Sequence, residues 1–283
     1  MFTRTTSARL RRVSLISAGR GGQAPCASPR SKRRRQACLL VSGGLDSAVL
    51  LHHLLTQGTR IQPLYVRCGF RWEAAELHWL RRWLRAVRQP ILDELRIVEL
   101  PMRTLYGAHW SFTGRDLPSA GTPDAAVYLP GRNILLTTCA GILCAQRGIG
   151  TIVLGTLRGN PFADASPRVL RMLARTLAAA LGHPLRILTP LARVRKASLI
   201  RRARALPLHL TFSCLQPRGP RPTTLLQSSE GKEAVGLRPT TLLQSSEGKE
   251  IVGARHCGRC NKCAERRRAF LEARIVDPTR YAR

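Results

Sequence analysis

Acidic residues are scarce in this chain. Its 283 residues carry 16 Asp and Glu against 47 Lys and Arg, a formal net charge of +31. Such an excess ordinarily points to a polyanionic partner, but its distribution weakens that reading. Ten of the bases lie within residues 1–35, where there is no acid, leaving +21 on the remainder. Lysine is scarcer still, occurring only at positions 32, 196, 232, 249 and 262, so the charge is nearly all arginine, a bias that GC-rich coding produces without selection for binding. A nucleic-acid partner is therefore not expected. Also missing is any apolar run near the ~20 residues that span a bilayer, so no membrane partner is expected and the chain reads as a soluble, cytoplasmic protein. The head has no apolar piece longer than Val13–Ile16, which argues against a secretory signal. Residues 1–36 read as a basic disordered extension, similar in composition to an organellar transit peptide or an over-extended start. A hydrophobic fraction of 44% with 22% charged residues suits a folded core. Nine cysteines in such a chain suggest a reducing compartment with metal-bound or buried thiols rather than disulfides.

The chain is organised around Val41-Ser42-Gly43-Gly44-Leu45-Asp46-Ser47. The apolar run Cys38–Val41 precedes it and Ala48–Leu55 follows, the pattern of a turn between a buried strand and a helix. Glycines let the backbone approach an anion, and a helix start presents N–H groups and a favourable dipole to it. Ser42 and Ser47 add hydroxyl donors, whereas Asp46 suits a Mg²⁺ ligand or a helix cap. No Gly-Lys-Ser/Thr follows, so the string is not a Walker loop, nor is it the dinucleotide G-x-G-x-x-G. An ordinary capped turn is the competing reading.

Strand-like runs at Ile61–Val66, Arg96–Leu100, Thr151–Gly155 and Leu185–Leu188 alternate with helical patterns at Trp72–Val87, Ile134–Gln146, 166–181 and Lys196–Leu206. Residues 102–126 show no clear period and read as a long loop, of the kind that can form a lid. The alternation predicts an α/β fold, a parallel sheet with helices on both faces, whose ligands lie beyond the carboxyl ends of the strands.

Arg221–Gly236 and Arg238–Gly253 are the same sixteen residues but for Ala234 against Ile251, a period of seventeen. Two polar copies cannot make a solenoid, and they read as a duplicated surface insertion at about 220–253. Close by, Cys257, Cys260 and Cys263 form a C-x2-C-x2-C trio suited to a tetrahedral metal site, which needs a fourth ligand. Cys214 is the first candidate and His256 the second. Without the two seventeen-residue copies, Cys214 and Cys257 would be separated by eight residues, a compact knuckle. Free thiols or an iron–sulfur cluster are the alternatives.

The early string resembles the SGGxDS pyrophosphate loop of the PP-loop ATP pyrophosphatases. Joined to Cys-x8-Cys-x2-Cys-x2-Cys, it resembles the 7-cyano-7-deazaguanine synthase family of queuosine-precursor biosynthesis. Pro130-Gly131-Arg132-Asn133, Thr189-Pro190-Leu191 with Lys196, Phe212-Ser213-Cys214 and the tail from Arg267 to Tyr281 add to the likeness, which covers residues 37–283 apart from the insertion. The resemblance implies a PP-loop, adenine-nucleotide α-hydrolase-like domain over 37–213 and a small zinc-bound helical subdomain over 214–283. It implies ATP, ammonia and 7-carboxy-7-deazaguanine as partners, Mg²⁺ with the ATP and structural Zn²⁺ on Cys214, Cys257, Cys260 and Cys263. Leu40, Val41, Ser42, Gly43, Gly44, Leu45, Asp46, Ser47, Ala48, Val49 and Leu50 would hold ATP, helped by Arg132 and Lys196. Asp46 and Ser47 are the catalytic candidates; Asn133 and Asp164 are those for substrate binding. The family's Tyr-Pro-Asp-Cys-Arg segment corresponds here to Gly159–Ser166, with Asp164 at the Asp position and Ala165 and Ser166 at the Cys and Arg positions, so an amide product stays open beside the nitrile. A PP-loop tRNA-modifying enzyme of thiolation or lysidine type, and an inactive zinc-stapled binding protein, also stay open, as does a homodimer.

Overall fold

The computed structural model describes residues 35–219 and 253–282. The expected basic extension, except for its last two residues, and nearly all of the duplicated insertion lie outside the described residues.

Five strands pair in parallel in the order β3-β2-β1-β4-β5: β1 (Gln36–Leu40), β2 (Arg60–Arg67), β3 (Arg96–Glu99), β4 (Thr151–Val153) and β5 (Arg186–Leu188). Alternate residues of β1 enter opposite layers, as a strand of period two requires when both faces are buried. Ala37 and Leu39 join Ile61, Tyr65 and Val153 on one face, while Cys38 joins Leu64, Val66 and Ile152 on the other. The first face is covered by α1 (Leu45–Thr56), α2 (Glu73–Ala86), α7 (Lys196–Arg202) and α8 (Asn261–Ala273). The second is covered by α5 (Arg132–Arg147) and α6 (Pro167–Ala180). The two halves of the sheet diverge from β1, with β2 on one side and β4 on the other. A crevice opens at such a switch point, outside the carboxyl ends of the strands, and the turn after β1 lies there.

The stretch expected to be an irregular loop is more ordered than its composition suggested. It holds α3 (Arg103–Tyr106), α4 (Trp110–Thr113) and a 3-10 turn at Asp124–Val127. Met102, Phe112 and Val127 are buried and pin it, and the His109 side chain accepts from Ser111 N–H to cap α4. Three spaced apolar anchors are too few to register as a helical period, which is why the pattern was invisible in the sequence.

The carboxyl-terminal segment is knitted to the sheet layer. Phe212 N–H donates to Gly43 O at 2.8 Å and Trp79 Nε1 donates to Ala254 O at 2.9 Å. Arg266 on α8 is 1% exposed and donates to Thr279 Oγ1, Thr211 Oγ1 and Leu208 O, so its buried charge has hydrogen-bond acceptors on two other segments. Arg218 and Arg255, on either side of the insertion, exchange N–H···O bonds of 3.0 and 2.7 Å.

Candidate nucleotide site and cysteine cluster

Gly44, not Asp46, occupies the N-cap of α1, and no side chain caps that end. The cap role considered for Asp46 therefore falls away. Gly43 adopts φ +72°, and a Cβ there would stand 3.1 Å from Glu76 O and 3.2 Å from Leu80 Cβ, so the turn both needs glycine's freedom and lies tight against α2. Gly155, two residues beyond β4, passes so close that a Cβ would meet Ser47 N at 3.2 Å. Ser47 Oγ donates to Gly44 O at 3.2 Å and accepts from Ser42 N–H at 3.3 Å, while Ser42 Oγ accepts from Gly44 N–H at 3.4 Å. The hydroxyls thus shape the turn, and the first N–H groups of α1, which have no intrahelical acceptor, belong to residues that line a cavity of about 540 Å³. That cavity is lined by Leu40, Val41, Ser42, Gly44, Leu45, Asp46 and Ser47 of the candidate stretch; Ala48, Val49 and Leu50 lie behind it in the core.

Lys196, the first residue of α7, also lines the cavity. Its Nζ stands 3.4 Å from Asp46 Oδ2 and also pairs with Glu265 of α8, whose other oxygen pairs with Lys262 at 2.7 Å. Burial alone would push the Glu265 carboxyl up, but Lys196 and Lys262 outweigh it and hold it at about 2. Burial pushes Asp46 upward against the pull of Lys196. Asp46 Oδ1 is buried without a hydrogen-bond partner. An orphaned carboxylate oxygen beside a phosphate-type turn suits a hard cation accompanying ATP.

Arg132 and Asn133 open α5 on another wall of the cavity. Asp164 receives both Asn133 N–H and Asn133 Nδ2–H at 2.9 Å, so its two oxygens are occupied in holding Asn133. Asp164 is buried behind the wall and Asn133 is the residue of the pair that lines the cavity. Aromatic rings supply the apolar surface: Phe70 stacks on Trp72 at 5.0 Å and Trp72 on Trp110 at 5.7 Å, while Phe162 stacks on Tyr128 at 5.0 Å. Flat rings beside hydrogen-bonding groups suit a planar heterocycle.

Sequence reasoning missed Tyr65, Glu73 and Glu76. Glu73 accepts from the N–H groups of Cys68 and Gly69, fixing the turn after β2. Glu76 accepts from Tyr65 OH at 2.9 Å and lines the cavity. The available signal was a pair of acids, in a chain poor in them, opening the helix that follows a strand's carboxyl end.

The four cysteine sulfurs of Cys214, Cys257, Cys260 and Cys263 lie within 4.8 Å of one another and all four residues are buried, so the cluster could hold a metal ion such as zinc. Cys257 N–H donates to Cys214 Sγ, and the N–H groups of Arg259 and Cys260 donate to Cys257 Sγ, contacts that suit thiolates. His256, the second candidate for fourth ligand, is elsewhere: its Nε2 accepts from Ser213 N–H, and its ring lies between Phe212 and Tyr281. Burial lowers its pKa to about 3, so it is neutral.

A family model described as queuosine biosynthesis protein QueC matches residues 36–226. The chain is 29% identical over 266 residues to a 7-cyano-7-deazaguanine synthase of Anaeromyxobacter dehalogenans (strain 2CP-C), covering 88% of this chain and 97% of that one. It is also 29% identical over 262 residues to a 7-cyano-7-deazaguanine synthase of Methanoculleus marisnigri, covering 88% of this chain and 100% of the relative. No helix among the described residues is long and apolar enough to cross a membrane.

Proposed function

The chain belongs to the QueC family of queuosine biosynthesis proteins, and from that premise we propose that it converts 7-carboxy-7-deazaguanine, ammonia and ATP into 7-cyano-7-deazaguanine. The observation that carries the reading is the glycine turn facing a cavity at the sheet's switch point, with aromatic rings on the same walls.

A carboxylate is a poor electrophile, and transfer of AMP to it supplies a leaving group. The N–H groups of the 42–47 turn and the start of α1 bind the pyrophosphate and stabilise the charge that grows on it. Lys196, held by Asp46 and Glu265, adds positive charge at that end, and Arg132 adds more from another wall. Asp46 Oδ1 would hold the Mg²⁺ that accompanies ATP, which supplies further charge neutralisation as pyrophosphate departs. Ser47 acts by keeping the turn in shape. Asn133, fixed by Asp164, offers hydrogen bonds to the deazaguanine, and Phe70, Trp72 or Phe162 offers a stacking face. Zn²⁺ on the four cysteines is structural, since four thiolates leave no open coordination position. The reaction belongs in the cytoplasm, with residues 37–213 as the nucleotide domain and 214–283 as the metal-bound part.

AMP release tests the reading. It is expected with 7-carboxy-7-deazaguanine, ammonium and ATP alone; release that requires added tRNA would instead assign the site to a tRNA-modifying enzyme.

A further inference from the structure

The nitrogen of the proposed reaction enters with three N–H bonds and leaves as a nitrile with none, so the site must accept protons repeatedly. We infer that Glu76 is the catalytic base that takes them, an inference that rests on the proposed function.

The cavity offers few other acceptors. No histidine is among the described residues that line it. Asp46 Oδ2 and Glu265 are paired with Lys196, Asp46 Oδ1 is buried and is the oxygen that would hold Mg²⁺, and Glu73 is bound by the N–H groups of Cys68 and Gly69. Asp124 and Glu272 are exposed at the rim. Glu76 lines the cavity with one oxygen on Tyr65 OH at 2.9 Å, and no hydrogen bond from the described residues occupies the other. Its backbone carbonyl lies against Gly43, so the carboxylate is anchored to the same turn that would hold the phosphates.

Protonation energetics agree with the geometry. Burial raises the Glu76 carboxyl to about 8; Tyr65 OH opposes the rise, Glu73 on the same helix adds to it, and Arg132 from α5 opposes it. Cys68, at the end of β2, also faces this group, but burial pushes its thiol up to about 12, and Tyr65 is likewise raised, so neither competes as a base near neutrality. A base whose conjugate acid titrates near the working pH is the efficient choice.

The steps balance. Ammonia attacks the acyl adenylate: the C–N bond forms, the C–O bond to AMP breaks with its electron pair going to the phosphate, and one N–H proton passes to Glu76. The amide oxygen then attacks the α-phosphorus of a second ATP, pyrophosphate leaves with the bonding pair, and a second proton is taken from nitrogen. Finally the C–O bond breaks, AMP leaves, the third proton is taken and the C≡N bond is complete. Glu76 returns each proton to solvent through the open cavity.

The first adenylation needs no proton transfer from nitrogen, which separates this role from a structural one. In Glu76→Gln, exchange of labelled pyrophosphate into ATP, driven by 7-carboxy-7-deazaguanine without ammonium, is expected to stay within about threefold of wild type, while amide and nitrile formation falls roughly 100-fold. With rates expressed per free ammonia, the wild-type acid limb near the Glu76 titration should vanish. Tyr65→Phe, which removes the hydrogen bond favouring the charged carboxylate, should move that limb to higher pH; this second variant decides the matter if Glu76→Gln does not fold. Product formation within threefold of wild type in Glu76→Gln, equal loss of exchange and product, or an unmoved limb in Tyr65→Phe would overturn the inference. A wild-type chain showing no substrate-dependent exchange would overturn the functional reading and this inference together.

Discussion

Asp46 carries the plainest consequence at the scale of single residues. One oxygen faces Lys196 and the other is buried without a partner, while Lys196 keeps Glu265 whatever stands at position 46. Asp46→Ala should therefore lower AMP release by about 100-fold or more yet leave the melting temperature nearly unchanged, to be checked by turnover and thermal melts on one preparation; unchanged turnover would remove Asp46 from cation binding. Ser42, Gly43 and Gly44 could be read from the chain because a short-range motif needs only its own neighbours. Lys196 was found as a charge, but its two carboxylate partners come from residues 150 and 69 positions away, a separation that no pattern in one sequence reports. Arg266, buried among Thr211, Thr279 and Leu208, was invisible for the same reason: its position in a run of three arginines reads as solvent-facing.

Among the elements, α8 joins the two functional features. Cys263 lies in its first turn and Glu265 two residues later points at Lys196, so the helix that begins at the cysteine cluster also positions the cation beside the glycine turn. Structural zinc contributes folding free energy directly, and its loss should propagate along this helix. Cys260→Ala is expected to lower the zinc content from one ion per chain to near zero, to lower the melting temperature, and to weaken ATP binding as well; metal analysis with calorimetric titration reads all three. Unmodified protein purified without zinc would contradict the expectation. The longer strands and amphipathic helices were legible because a mostly apolar run or a helical apolar period extends over the whole element, as in Ile61–Val66 and α2. α3 and α4 were not, since a four-residue turn holds too little pattern and is set instead by distant contacts of Met102 and Phe112.

Across the whole molecule, the duplicated segment falls between Cys214 and Cys257 in the chain, yet the four cysteine sulfurs stay within 4.8 Å of one another. Arg218 and Arg255 already pair in antiparallel fashion, and joining Gly219 directly to Ala254 would leave a two-residue hairpin loop with glycine first, a connection that suits such a pair. Excising residues 220–253 should keep zinc content and turnover within about twofold, because loop length changes closure free energy only slowly. A variant that folds but neither binds zinc nor turns over would assign the insertion an essential part. The proposed reaction is tested most directly by mass spectrometry of the product formed from 7-carboxy-7-deazaguanine, ammonium and ATP. The expected result is 7-cyano-7-deazaguanine with two AMP released per molecule; a product that stops at the amide with one AMP, or no new deazapurine at all, would contradict it.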